Sequence, residues 1–266
     1  MDRLRNVILL GCAASAAAFC DAGDFQWQRQ LAPGQLLEVH GVIGAIHAVG
    51  VPGRTATITA HKAGKNSDPA GVTIAVSPFD GGVAICAMYP DDGVSHPNEC
   101  NAPGKEVYLS ANNNDVAVEF TVMVPDGVRL GAFTVNGDIQ AMALTADVTA
   151  STIFGGITLA TTGGAQANTL HGSIVAAMGT VAWNGIRTIG TVDGDIDLTM
   201  PADANVTVHA STFFGSVISD FPLKITTSRW GDSTMAEGTL GSDGRALRVS
   251  TLKGNIRLHA GPNAMF

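Results

Sequence analysis

Two aspartates, Asp138 and Asp195, stand at the same point of a recurring six-residue phrase and are the first carboxylate pair to test as acid and base. Three repeats separate them, about 14 Å at strand spacing. Paired glycosidase carboxylates sit about 5 to 9.5 Å apart, so this pair does not qualify. The run Asp193-Gly-Asp195-Ile-Asp197 has the acidic density of a calcium loop. An EF-hand places Glu twelfth, where this chain has Ala204, and Ile196 is expected to be buried. The Gly-Gly-x-Gly-x-Asp calcium repeat is also absent. A solvated polar edge is the expectation for these carboxylates.

The seven histidines, His40, His47, His61, His96, His171, His209 and His259, form no HxxxH or HExxH pair. Strand alternation sets His209 opposite in facing to inward Val208. Ser95-His96 lacks the GxSxG elbow that would strain a nucleophile. There is no GxxxxGK[ST] phosphate loop. No catalytic, cofactor-binding or metal residue is assigned, and the chain is expected not to be an enzyme. Phe154 and Phe214, with Phe213 and His171, occur at phrase turns. Corner packing in the core is the expected arrangement, and an exposed strip for sugars or a partner is the alternative.

Of four cysteines, Cys12 and Cys20 lie in the first twenty residues. Cys86 and Cys100 remain, and in an oxidising compartment they read as a disulfide closing a loop of about 15 residues. Two free thiols or half a zinc site is the alternative, but no nearby CxxC or His pair completes such a site.

These residues hang on a repeat. The phrase Thr–apolar–x–Gly–x–Ile/Val occurs six times: Thr134-Val-Asn-Gly-Asp-Ile139, Thr152-Ile-Phe-Gly-Gly-Ile157, Thr169-Leu-His-Gly-Ser-Ile174, Thr191-Val-Asp-Gly-Asp-Ile196, Thr212-Phe-Phe-Gly-Ser-Val217 and Thr251-Leu-Lys-Gly-Asn-Ile256. Successive starts lie 18, 17, 22, 21 and 39 residues apart, the last gap being about two periods. Ile43-Gly-Ala-Ile46 is a weaker echo. A period near 20 is too short for an independent domain and suits one coil of a β-solenoid, which buries its apolar face only by stacking. The Gly permits a turn with positive φ and close approach of the next coil. The Ile/Val then opens a strand with alternate residues inward, as in Ile157-Thr-Leu159 and Ile196-Asp-Leu198. Stacking the coils in chain order lines up Ile139, Ile157, Ile174, Ile196, Val217 and Ile256 as a buried ladder, with the Thr residues as a second.

A β-sandwich with shared turn residues is the competing architecture, and six full copies of the phrase disfavour it. Before residue 130 the phrase is missing, although Val116-Ala-Val-Glu-Phe-Thr-Val-Met-Val124 and Val72-Thr-Ile-Ala-Val76 alternate cleanly. Residues 25–125 are therefore expected to form longer, partly antiparallel strands that cap one end and cover its open edges.

The composition agrees: 45% hydrophobic, 14% charged, with 32 Gly and 11 Pro in 266 residues, as in an all-β chain with frequent tight turns. Arg3 and Arg5 precede an apolar stretch from Val7 to Phe19, followed by small residues at Ala16, Ala18, Cys20 and Ala22. Residues 1–22 thus read as a signal peptide cleaved near Ala18 to Ala22. A membrane anchor is the alternative, but 13 residues fall short of the roughly 20 that span a bilayer. Leu9-Leu10-Gly11-Cys12 also fits a lipobox, so lipid anchoring at Cys12 is a lesser alternative. Loss of residues 1–22 removes Asp2, Arg3, Arg5 and Asp21 and leaves 13 basic and 21 acidic residues, a net charge of −8. That charge disfavours nucleic acid and anionic headgroups as partners. No transmembrane segment is expected after cleavage.

Over roughly residues 35–260 the chain resembles the DUF4097 family of adhesin-type domains. The resemblance rests on the Thr-x-x-Gly-x-Ile phrases, Trp183-Asn-Gly185…Thr191-Val-Asp-Gly-Asp-Ile196, Met200-Pro-Ala-Asp203, Ser219-Asp-Phe-Pro222 and Gly238-Thr-Leu-Gly241-Ser-Asp-Gly244. The Cys86-Ala-Met-Tyr-Pro90…Cys100 loop is similar to one in some exported members. Phe154 and Phe214 stand where the family usually has Asn, and Gly156 where it has Asp, which alters surface chemistry more than fold. The resemblance implies an all-β solenoid at the cell envelope and no catalytic activity. The expectation is a signal peptide over 1–22 and one domain over 23–266, with an N-terminal β region at 23–130 and regular repeats at 131–260. It would serve as an extracytoplasmic, periplasmic, secreted or surface module for adhesion, binding or structure, its partner an envelope polymer or protein. The rivals are a β-helix carbohydrate-active enzyme and an envelope-stress regulatory module docking a membrane partner.

Overall fold

A computed structural model describes residues 25–91, 96–103, 108–180, 183, 185–229, 233–242 and 245–261. The expected leader, with Cys12 and Cys20, lies outside these residues, as does Ser95.

Among the described residues the chain is all-β apart from one short 3-10 turn, Pro69–Gly71. Its strands form two open, mixed sheets. In space, the ten strands of the first sheet run Phe25–Gln30, Thr55–Ala63, Ala117–Pro125, Ile46–Val51, Ile139–Leu144, Ile157–Thr161, Ile174–Met178, Ile196–Pro201, Ile256–Gly261 and Val217–Ser219. The eleven of the second run Thr73–Phe79, Gly82–Met88, Leu36–His40, Arg129–Phe133, Val148–Ser151, Ala165–Asn168, Ile186–Gly190, Ala246–Lys253, Val206–Phe214, Thr234–Leu240 and Lys224–Thr227. Between Arg129 and Met178 the chain alternates sheets strand by strand, and each strand pairs in parallel with the one two places earlier.

Alternation of side chains explains the core. Ile139, Ile157, Ile174, Ile196 and Ile256 are at most 1% exposed and stand in register. Leu159, Ala176, Leu198 and Leu258 repeat the pattern two residues on. Across the gap, Leu130, Val148, Ala165, Val208, Leu247 and Val249 face them from the second sheet, and the inward residues of both sheets form one buried cluster.

The ladder is not in chain order. Ile256 lies between Ile196 and Val217, so the last phrase inserts between the fourth and fifth. The 39-residue gap therefore does not hold two successive repeats. It holds the strands Lys224–Thr227 and Thr234–Leu240, which run antiparallel on the outer side of Val206–Phe214 and close that end of the second sheet. With its outer side taken, Val206–Phe214 has only its inner side left for Ala246–Lys253.

The N-terminal region mirrors this. The strands Phe25–Gln30, Thr55–Ala63 and Thr73–Phe79 pair antiparallel at the opposite end. By contrast, Leu36–His40, Ile46–Val51, Gly82–Met88 and Ala117–Pro125 join the parallel ladders, with Ile46 stacked between Phe120 and Ile139. The echo Ile43-Gly-Ala-Ile46 is thus a working copy of the phrase, and the expected cap is confined to the antiparallel strands. Capping hides apolar side chains and strand edges that the end passes would expose.

Candidate functional site

The six-residue phrase builds one corner between the sheets, and each of its positions has a separate task there. At position one the Thr is buried, and its hydroxyl donates to the position-four Gly carbonyl of the neighbouring pass. The series runs Thr134 to Gly44 at 3.2 Å, Thr152 to Gly137 at 3.0 Å, Thr169 to Gly155 at 3.0 Å and Thr191 to Gly172 at 2.9 Å. It continues with Thr251 to Gly194 at 3.0 Å, Thr212 to Gly254 at 2.8 Å and Thr234, in the antiparallel cap, to Gly215 at 3.3 Å. The Gly is required by close approach: a Cβ on Gly155 would overlap the carbonyl oxygen of Gly137, and one on Gly194 that of Gly172.

Position five explains the aspartates. Asp138 accepts a hydrogen bond from the Gly156 amide at 2.7 Å, and Asp195 accepts one from the Asn255 amide at 2.7 Å. Ser173 accepts from the Asp195 amide at 3.2 Å, and Asn255 from the Ser216 amide at 3.1 Å. These side chains tie one pass to the next. The Asn255 amide, with Arg257 adding its charge, holds the Asp195 carboxyl below the usual carboxylate range. Asp138 and Asp195 remain three passes apart.

The three carboxylates of Asp193-Gly-Asp195-Ile-Asp197 part company. Asp193 stands on the corner, Asp195 bonds the neighbouring pass, and Asp197 pairs with Arg257 at 3.3 Å. Among the described residues, no group of three His, Cys, Asp or Glu is placed to hold a metal. The histidines are likewise dispersed. His40 stacks on Phe133 and meets Glu38 at 3.3 Å, and His96 stacks on Tyr108. His209 meets Glu237 at 3.2 Å, and His259 lies between Asp197 and Asp220 at 3.8 and 3.5 Å. The half-enclosed Glu38–His40–Phe133 group was not legible in the sequence, because its members lie on strands 90 residues apart.

Cys86 and Cys100 have their sulfurs at bonding distance, with Cα atoms 5.7 Å apart. Beside them Tyr89 is buried and donates to the Val116 carbonyl at 2.7 Å. Burial pushes its hydroxyl up to about 12, against a smaller lowering by the Ile43 backbone. Asn98, also buried, bridges the Tyr89 and Ser110 carbonyls. At the opposite corner Trp183 is 5% exposed and packs in the core, with Arg245 donating to its carbonyl.

From the second phrase onward positions two and three point outward, whereas Ile43 and Val135 pack against the core. Ile153, Leu170, Val192, Leu252 and Phe213, all at position two, are 37 to 47% exposed. Position three forms the row Ile43, Asn136, Phe154, His171, Asp193, Lys253 and Phe214, each bridged to the next. Phe154 and Phe214 are 52% and 55% exposed, which overturns the expected corner packing. The core behind them is already filled by the Thr and Ile ladders. The Phe154 and His171 rings stack 5.2 Å apart at 3°, and Phe213 meets Phe214 edge-on at 4.8 Å. The result is an apolar, aromatic ridge along the corner. Of its position-two row only Phe213 was legible as a candidate in the sequence, since an apolar residue two places before a Gly reads as core until the Thr beside it is seen to point in. Lys253 also enters the row between Asp193 and Phe214, as the inserted last phrase requires.

No family model matches this sequence, and no curated protein does. The solved structures similar to it include two adhesin-type proteins. One, a candidate cell adhesion protein from Clostridium sporogenes, has a TM-score of 0.45 and 11% identity, covering 90% of this chain and all of that one. The other, a candidate adhesin from Bacteroides fragilis, has a TM-score of 0.28 and 10% identity, covering 89% of this chain and 97% of that one. Neither likeness is close enough to carry an activity across.

Proposed function

We propose that this chain is a non-catalytic, extracytoplasmic module of the bacterial cell envelope that works by presenting its corner ridge to a polymer or protein surface. The carrying observation is the ridge: seven large apolar side chains held exposed in two adjacent rows on a corner whose interior is fully packed. Exposed apolar patches of this kind mark interaction sites in soluble proteins, and rows repeated at strand spacing let many weak contacts add up. We read the chain as a β-solenoid, one domain over 23–266, in the manner of the DUF4097 domains, a reading supported by the parallel pairing of strands from successive passes. A leader over 1–22 and a Cys86–Cys100 disulfide formed in an oxidising compartment fit export.

The double variant Phe154→Ser, Phe214→Ser tests this reading. Both rings are more than half exposed, so circular dichroism and melting should match the parent while attachment to cells or envelope polymer falls. Unchanged attachment by the folded variant would remove the ridge from the function. Saturable turnover of a glycan by the pure protein would overturn the non-enzymatic assignment.

A further inference from the structure

The ridge has an internal symmetry in its chemistry. Reading along it, position three runs Phe154, His171, Asp193, Lys253, Phe214, beside position two as Ile153, Leu170, Val192, Leu252, Phe213. Two opposite charges, the fifth and sixth of the seven position-three residues, sit next to each other, with His171 and Phe154 on one side and Phe214 on the other. Asp193 and Lys253 are bridged through their backbones, yet among the described residues neither side chain makes an ion pair or hydrogen bond. On the neighbouring strands Asp195 and Asp197 hold Arg257, and Asp147 holds Arg187 at 2.6 Å.

We infer that the ridge pairs with that of a second copy of this chain about a two-fold axis, Asp193 of each copy facing Lys253 of the other. This rests on the ridge being the working surface and names its partner. Antiparallel ridges with the axis between the Asp193 and Lys253 rows bring two reciprocal ion pairs together. The same register sets Val192 against Leu252, Leu170 against Phe213 and His171 against Phe214. Moving the register by one row toward either end places Asp193 against Asp193 or Lys253 against Lys253, and such like-charge contacts are strongly disfavoured at interfaces. Charge therefore disfavours both neighbouring registers, and a two-fold contact closes without further growth. The expected net charge of −8 without the leader opposes any unspecific association of copies, so the apolar rows and the two ion pairs must supply the attraction. Because sheets twist, two ridges cross rather than run alongside. The four rows of His171, Asp193, Lys253 and Phe214 carry the contact, which suits a weak, reversible dimer.

Sedimentation velocity over a concentration series, with circular dichroism to confirm folding, tests the proposal. The parent should show a reversible monomer–dimer equilibrium. Asp193→Lys and Lys253→Asp should each weaken it at least about tenfold, and the double reversal Asp193→Lys, Lys253→Asp should recover it to within about threefold. Leu170→Gln with Leu252→Gln, at exposed positions, should also abolish the dimer. A parent that stays monomeric to about 1 mM, a double reversal as weak as the single ones, or a dimer indifferent to the leucines would overturn it. Attachment separates this from the broader reading. If attachment depends on Phe154 and Phe214 while the parent is monomeric, the ridge still binds and only the second copy is excluded.

Discussion

Thr251 and Gly194 are 57 residues apart in sequence, and the hydroxyl of one donates to the carbonyl of the other at 3.0 Å. Thr212, though it comes earlier in the chain, donates to Gly254 on the far side of that same pass. These two contacts place the last phrase inside the fifth. They also create the adjacency of Asp193 and Lys253, which are 60 residues apart, on the ridge.

The threonine ladder should be a measurable source of stability. Thr191 is 6% exposed and bonds Gly172, so Thr191→Val removes a buried donor and leaves the carbonyl unpaired, at a cost of about 1 to 2 kcal/mol. Thr191→Ser keeps the hydroxyl and should recover part of that. Chemical denaturation showing valine equal to the parent would demote the ladder to a packing feature.

The inward assignment of Ile196 is tested by contrast with its neighbour. Ile196 has no exposed surface, and Ile196→Asp puts an unpaired charge between Ile174 and Ile256, costing several kcal/mol. Asp197→Ser gives up a half-exposed contact with Arg257 and should cost under about 1 kcal/mol. Equal melting temperatures for the two variants would contradict the register.

Acid stability should report on Asp195. Its folded pKa lies below the unfolded value, chiefly through the Asn255 amide. The stabilisation is therefore complete above the unfolded pKa of about 3.9 and is lost as pH falls through the folded value. Asp195→Asn cannot titrate, so its melting temperature should fall less steeply than the parent's below about pH 4, with a small loss at pH 7. Parallel acid limbs would show that other carboxylates set the acid transition.

The cysteine pair and the leader can be read together by mass. Protein recovered from the envelope should have lost its leader by cleavage before about residue 23 and contain no free thiol under non-reducing conditions. Replacing Cys86 and Cys100 by Ser should cost about 3 kcal/mol, the loop-closure value for about 15 residues. A retained leader or two alkylatable cysteines would contradict export through an oxidising compartment.

What was legible in the sequence was whatever depends on near neighbours along the chain. The phrase spacing marked the corner, strand alternation set Ile157, Ile174 and Ile196 inward, and Gly155 and Gly194 announced a close backbone approach. Each follows from a two-residue period or from a missing Cβ, and both are properties of a few consecutive residues. The order of the passes was decided only in three dimensions, because it depends on which strand edge is still open when the next strand arrives. Thr234–Leu240 had closed the outer edge of Val206–Phe214, and so Ala246–Lys253 went inside. The exposure of Phe154 and Phe214 belongs to the same level: an aromatic ring is buried or not according to whether the space beneath it is already full, and here the Thr and Ile ladders had filled it.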